Sequence, residues 1–170
     1  ILSDVWLAPT DREQDQESLL KLGFHNPLTV LDLLDSLRAD SATRALSKEG
    51  RQRLNRLIPF LLKEILSLDH PDTALNRIMD ILKAIERRTS YLALLLENPH
   101  ARIHLVKLAD ASPMIATLLS RHPALLDELL DPRTLYTPPA KAELEAEIAE
   151  KMRMVPSRDL EYQIEQLCIF

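Results

Sequence analysis

The sequence has little of what disulfide scaffolds and β-sheets require. Cys168 is the only cysteine among 170 residues, so the chain cannot form an internal disulfide, and a lone thiol fits a reducing compartment. No basic or histidine residue lies close to it in sequence, and Cys168 is interpreted as a buried apolar residue. The only glycines are Gly23 and Gly50. Because no Asn-Gly or Asp-Gly turn separates alternating apolar segments, a sheet is not expected.

Aromatic residues and long hydrophobic runs are also scarce. Aromatics make up 4% of the chain and the net charge is −5, which disfavours nucleic-acid binding by stacking or by electrostatic capture. The longest apolar run, residues 91–96, is far shorter than the roughly 20 residues that span a bilayer. Residues 1–8 lack the basic flank and length of a signal peptide. We therefore expect an excised piece of a larger cytoplasmic protein.

Proline, by contrast, is abundant, with 11 in the chain, and it usually follows a polar residue. Proline at the first position of a helix gives up an amide that would lack a partner anyway, and a preceding Asn, Ser, Asp or Thr can cap the exposed amides. These pairs therefore predict helix starts. They are Asn26-Pro27, His70-Pro71, Asn98-Pro99, Ser112-Pro113, His122-Pro123, Asp131-Pro132 and Thr137-Pro138.

The apolar periodicity between these pairs predicts an all-α fold, an irregular bundle of about nine or ten helices. The strongest pattern predicts one long helix over 71–97, with Leu75, Met79 and Leu82 on its apolar face. Pro59 predicts a kink or split near Ile58 in the helix before it. The predicted helices are 13–22, 27–38, 42–46, 48–66, 71–97, 99–109, 113–120, 123–130, 139–152 and 158–170.

The positions of the prolines also predict three regions along the chain. Residues 1–45 hold amino-terminal helices that end a preceding region or form a linker, and residues 46–136 form the main helical domain. Residues 137–170 begin with a linker stiffened by Pro138 and Pro139 and continue as helices. The helix near 141–153 carries glutamates on its polar face, so it is interpreted as an interdomain strut or a partner-binding helix.

Histidine and serine offer weak candidates for chemistry. His100 and His104 have the spacing of a zinc-binding helix, but the position after the first histidine is not glutamate, and they are interpreted as surface or cap residues. His70 near Asp72 is interpreted as a helix start. Ser112 is interpreted as an N-cap, and Ser90 has no plausible base, so nucleophilic catalysis finds no support.

Charged residues form two further candidate groups. Asp127, Glu128 and Asp131 could hold Mg²⁺, but no Gly-rich phosphate loop accompanies them, so the favoured interpretation is the polar side of a short helix. Arg87 and Arg88 could grip a phosphate. The favoured alternative is one solvated arginine and one that bridges to a neighbouring helix or to Glu86.

Two stretches together resemble one known family. Residues 122–136 read as a short apolar helix, a stop and an exit turn, and residues 86–99 run from Glu86-Arg87-Arg88 to Asn98-Pro99. In order and spacing they resemble the bacterial bifunctional glutamine synthetase adenylyltransferases, which add AMP to glutamine synthetase and remove it. The resemblance covers residues 46–170 well and 23–45 weakly.

The resemblance implies a place in a larger enzyme rather than a chemistry of this chain. It implies a helical regulatory or connecting segment between two nucleotidyltransferase cores that lie outside these residues. No catalytic, cofactor-binding or metal-binding residue is therefore assigned. The parent enzyme is expected to use ATP and Mg²⁺ and to control nitrogen assimilation. Expected partners are the neighbouring catalytic domains, glutamine synthetase and the PII signal protein, with no nucleic acid or membrane. The alternative is a stand-alone helical protein-interaction scaffold without enzymatic activity.

Overall fold

A computed structural model describes residues 1–8, 11–130 and 140–153. Within those ranges it contains ten α-helices and one 3₁₀ helix, with no β-strand, and the predicted all-α class is confirmed. The first compact unit is Ile1–Leu130 and the second is Asp131–Phe170. The first unit contains α1 (Leu2–Leu7), α2 (Arg12–Leu22), α3 (Pro27–Ala39), α4 (Ser41–Arg44), α5 (Lys48–Ile65), α6 (Pro71–Ile85), α7 (Thr89–Glu97), α8 (Pro99–Ala111), α9 (Pro113–Arg121) and the 3₁₀ helix Pro123–Leu130.

Asn26 and Ser112 cap helix starts as the sequence predicts, whereas the side chain of Asn98 makes no capping hydrogen bond. Asn26 accepts a hydrogen bond from the Thr29 amide, and Ser112 accepts one from the Ile115 amide at 3.4 Å. Prolines occupy the first position of α3, α6, α8 and α9. The Pro-initiated starts that fall in the described ranges are therefore confirmed, whereas Asp131-Pro132, Thr137-Pro138 and the predicted helix 158–170 lie outside them.

The single long helix predicted over 71–97 is wrong. The chain forms α6 and α7, which are separated by a turn in which the Arg88 amide donates to the Ile85 carbonyl at 2.8 Å. Arg88 itself has φ −108° and ψ 89°, outside the helical region. Leu82, Leu92 and Leu95 are all fully buried in one core. The apolar spacing thus continues across the turn, and for this reason periodicity alone does not reveal the break.

Helix α5 continues through Pro59 and runs from Lys48 to Ile65. Of the predicted kink or split near Ile58, the split is therefore wrong and the kink stays a prediction. A proline has no amide hydrogen, so the carbonyl of Asn55 loses its usual helical donor. Pro59 is half-buried and Phe60 beside it is 45% exposed. The missing hydrogen bond therefore lies toward the surface, where solvent can supply a donor.

Helix α1 is an element that the sequence did not predict. Its Val5 and Trp6 are buried in the core, and the Trp6 indole donates to Asn55 on α5 at 3.0 Å. Arg38 donates to the carbonyls of Trp6, at 3.1 Å, and Val5, at 2.5 Å. These contacts hold the end of a helix that is too short to be stable alone.

The last two described elements are a 3₁₀ helix in the first unit and an α-helix in the second. Residues 123–130 form a 3₁₀ helix in place of the predicted α-helix, beginning with a bond from the Leu125 amide to the His122 carbonyl at 3.1 Å. In the second unit, α10 (Lys141–Arg153) matches the predicted helix 139–152. Its start is fixed by Glu143, whose carboxylate accepts from the Ala140 amide at 2.9 Å.

A first prediction concerns the contact between α5 and α7. Gly50 is buried, and a Cβ added there would lie 2.8 Å from Cγ2 of Thr89 and 3.1 Å from Cδ2 of Leu46. Gly50→Ala should therefore lower the unfolding free energy by about 1–3 kcal/mol through overpacking, as measured by urea denaturation. Thr89→Ser removes that methyl group, so adding it to Gly50→Ala should recover part of the loss. A double variant no more stable than Gly50→Ala alone would contradict the contact.

Candidate functional site

The most buried basic side chain among the described residues of the first unit is Arg102 on α8, which is 6% exposed. Its Nε donates to Oε1 of Glu64 on α5 at 2.7 Å. Its Nη1 donates to the carbonyls of Leu95 and Leu96 at the end of α7, at 3.0 and 3.3 Å. The guanidinium also lies 4.8 Å from the ring centroid of Phe60. One arginine therefore ties three helices together.

The partner of this arginine is incompletely satisfied. Oε2 of Glu64 is buried and has no hydrogen-bond partner in the described part of the chain. Burial raises the pKa of Glu64, and the ion pair with Arg102 opposes the rise. Glu64 and Arg102 line a cleft of about 440 Å³, with Phe60 and Ile103 on its apolar side. The ion pair between Glu64 and Arg102 therefore forms only while α5 and α8 keep their relative positions.

A second buried polar group lies where α6 ends. Glu86 is 2% exposed and Thr43 on α4 is 1% exposed, and the Thr43 hydroxyl donates to the Glu86 carboxyl group. Burial raises the pKa of Glu86, and the neighbouring Asp40 carboxyl adds to the rise. The Ala42 amide and then Glu86 hold the pKa of Asp40 below its usual value. The two carboxyl groups therefore favour sharing one proton.

This carboxyl pair predicts a measurable pH dependence. The pKa of Glu86 is raised in the folded state, so its contribution to stability is complete below the unfolded pKa of about 4.3 and is lost as pH rises. Glu86→Gln keeps an acceptor for Thr43 and offers Asp40 a neutral donor. We expect its Tm near neutral pH to exceed that of the wild type by about 3 °C.

Thermal denaturation of both proteins at about pH 5 and pH 8 checks the sign. The wild type should lose more stability than Glu86→Gln between the two pH values, since only the wild type must ionise Glu86. Equal losses in the two proteins would mean that Glu86 and Asp40 do not compete for a proton.

The candidates near His70 are confirmed as a helix start. His70 precedes Pro71 at the N-terminus of α6. Asp72 accepts hydrogen bonds from the amides of His25 and Asn26, both at 2.9 Å, and His25 Nδ1 lies 3.2 Å from its carboxylate. Burial would raise the pKa of Asp72, but these hydrogen bonds hold it below its usual value. Asp72 therefore fastens the loop between α2 and α3 to α6.

The histidine pair lies on α8 as the spacing predicts. His100 is exposed and His104 is half-buried. Among the described residues, no group of three or more His, Cys, Asp or Glu side chains could hold a metal ion. The assignment of no metal, cofactor or catalytic residue stays a prediction, and Cys168 lies outside the described residues.

The other candidate groups are not brought together as a site. Asp127 is exposed on the 3₁₀ helix, and Asp131 and the side chain of Glu128 lie outside the described residues. Arg87 and Arg88 are both exposed, and the Arg88 guanidinium lies 6.0 Å from the centroid of the Tyr91 ring. Ser112 caps α9, as predicted.

Sequence reasoning missed both buried polar pairs, although it named Glu86 as a candidate partner of Arg87 or Arg88. Glu64 and Arg102 are separated by 38 positions, and Thr43 and Glu86 by 43, so neither pair shows in local spacing. The one available signal was Arg102 itself, which falls in an otherwise apolar helical stripe with Leu105, Val106 and Ala109. An arginine in such a stripe indicates a buried partner.

This geometry defines a helical domain whose elements are locked at their junctions by buried polar contacts. None of the helices in residues 1–8, 11–130 and 140–153 is both long and apolar enough to cross a bilayer. The family model described as glutamate-ammonia ligase adenylyltransferase matches residues 103–170.

Individual relatives match almost the whole chain. The bifunctional glutamine synthetase adenylyltransferase/adenylyl-removing enzyme of Thioalkalivibrio sulfidiphilus is 43% identical over 167 residues, covering 98% of this chain and 17% of the relative. The enzymes with that name in Pseudomonas putida and Nitrosococcus oceani are 39% and 42% identical, over 97% and 98% of this chain and again 17% of each relative. The chain therefore belongs to the family of bifunctional glutamine synthetase adenylyltransferases, and it spans about a sixth of the length of these relatives.

Proposed function

We propose that the chain is a non-catalytic helical segment of a glutamine synthetase adenylyltransferase, which connects the two catalytic domains of the parent enzyme and fixes their geometry. The observation that carries the proposal is the similarity over 98% of the chain to enzymes whose name joins two opposed activities. An enzyme with two such activities needs a scaffold between its active sites. A segment with its own core can serve as one.

The packing of the first unit supports a positioning role. Its core is continuous from Val5 on α1 to Leu129 on the 3₁₀ helix. Arg102 and Glu86 add buried polar contacts, which tolerate little displacement because a shifted partner leaves a buried charge or donor unsatisfied. Because such a unit is tightly packed, a displacement of its helices at one end moves the helices at the other end as well.

The proposal extends to the parent enzyme. ATP and Mg²⁺ are used at catalytic domains outside this chain, where metal ions neutralise the charge that develops during nucleotidyl transfer. Glutamine synthetase is the substrate protein, and the PII signal protein is a regulatory partner. The compartment is the cytoplasm.

The first experiment tests the non-catalytic part of the proposal. The purified chain is titrated with ATP and Mg²⁺ by calorimetry and is assayed for AMP transfer to glutamine synthetase and for AMP removal. We expect neither a saturable heat of binding nor turnover. Micromolar binding or measurable transfer would overturn the proposal, and Arg87, Arg88 and Asp127 would then be the first residues to substitute.

The positioning role is tested in the intact enzyme. Asp80 is exposed in the middle of α6, and Asp80→Pro removes one helical hydrogen bond and kinks the helix at a cost of about 3 kcal/mol. The ratio of AMP transfer to AMP removal should change, whereas Asp80→Ala should leave it unchanged.

Folding of the proline variant is checked by circular dichroism. If Asp80→Pro unfolds the enzyme, the milder Gly50→Ala serves in its place. A folded variant with both activities and their ratio at wild-type values would contradict a positioning role.

A further inference from the structure

A groove between α1 and α5 has a volume of about 870 Å³. Its walls are mainly apolar, with Leu2 and Leu7 on one side and Pro59, Phe60 and Leu66 on the other. Leu7 and Phe60 are 55% and 45% exposed. Exposed leucine and phenylalanine lining one groove indicate a contact surface for a protein segment.

The charged side chains that line this groove have one sign. They are Arg56 and Lys63, both exposed, although the chain as a whole has a net charge of −5. Neither makes an ion pair with another residue in the described ranges. The two cations stand seven positions apart on one face of α5, with Phe60 between them.

The backbone of α5 supplies a further polar feature. Asn55 and Pro59 both line the groove, and Pro59 cannot donate to the Asn55 carbonyl. From Asn55 to Lys63 the helix rises by roughly 12 Å, the length of about two helical turns. The groove therefore offers an apolar floor and two cations at helical spacing, beside a turn of α5 that lacks one backbone hydrogen bond.

We infer that this groove binds an amphipathic helix of a partner protein, with the helix's apolar face on Leu7 and Phe60 and its carboxylates beside Arg56 and Lys63. Concave apolar surfaces of this length take helices through anchors at three- and four-residue spacing. The matching charge selects acidic partners over basic ones. The inference goes beyond the positioning role and does not depend on it.

Two stapled helical peptides test the inference on the whole chain. One carries leucines at three- and four-residue spacing with glutamates along the edges, and its counterpart carries lysines in place of the glutamates. We expect fluorescence anisotropy to show saturable binding of the acidic peptide, at least about tenfold tighter than binding of the basic one. Added salt should narrow the difference, since both cations are exposed to solvent.

Charge reversal provides the matched variants. Arg56→Glu combined with Lys63→Glu should weaken binding of the acidic peptide by at least about tenfold and improve binding of the basic one. Leu7→Ser should weaken binding of the acidic peptide without changing the charge. Arg121→Glu, which makes the same charge change on an exposed residue outside the groove, should leave both affinities unchanged.

Three results would overturn the inference. The first is no binding of the acidic peptide, or equal binding of both peptides. The second is an acidic-peptide affinity that the double reversal leaves intact. The third is binding of the chain to phosphatidylserine vesicles that the double reversal abolishes, because the surface would then recognise lipid headgroups instead of a helix. Failure here leaves the calorimetric and activity tests of the positioning role unaffected.

Discussion

Replacing Arg102 with methionine is expected to lower the unfolding free energy by about 3–5 kcal/mol in urea denaturation at neutral pH. The substitution keeps an unbranched chain beside Phe60 but removes the charge. Glu64 would then be left with neither of its carboxylate oxygens paired, since Oε2 already has no partner in the described part of the chain. The carbonyls of Leu95 and Leu96 would lose their donor as well.

A second substitution separates the cost of the lone carboxylate from the cost of lost packing. Adding Glu64→Leu to Arg102→Met removes the unpaired charge, and the double variant should recover at least half of the loss. The single variant should also regain stability as pH falls, because protonation neutralises Glu64. A double variant no more stable than Arg102→Met would show that packing, rather than charge, dominates at this junction.

The sequence predicts the helix starts well because each one is a local event. Asn26, Ser112 and the prolines that follow them act within one turn, so a short window of residues contains the cause. The break between α6 and α7 has a different origin. Glu86 is held by Thr43 on α4, and Thr89 packs against Gly50 on α5. These contacts join residues distant in sequence, and the propensity of 71–97 contains no sign of them.

The family was also readable from the sequence, whereas the buried polar junctions were not. Residues 86–99 and 122–136 carried the resemblance, and relatives that match almost the whole chain confirm the family. The contribution of Arg102 to stability, by contrast, depends on its distances from Glu64 and from the C-terminal end of α7. Only the folded chain determines these distances. The same holds for α1, whose six residues are stabilised by Arg38 and Asn55 and not by their own propensity.

The second large effect is expected at Leu92, the residue that shows whether α7 belongs to the core. Its side chain is 0% exposed, so Leu92→Ala should lower the unfolding free energy by about 2–5 kcal/mol through lost transfer energy and the cavity left behind. Leu118 on α9 is 46% exposed, and Leu118→Ala should change stability by less than about 1 kcal/mol. Urea denaturation of both variants makes the comparison.

The contrast between these two leucines bears on the broken helix. If α7 continued straight on from α6 into solvent, Leu92→Ala would resemble Leu118→Ala and change the unfolding free energy by less than about 1 kcal/mol. A large loss at Leu92 requires that the turn at residues 86–88 bring α7 back against the core. Arg102 then acts on the far end of that helix, through the Leu95 and Leu96 carbonyls. Because Leu92 and Arg102 hold the same helix, their double variant should lose less than the sum of the two single losses.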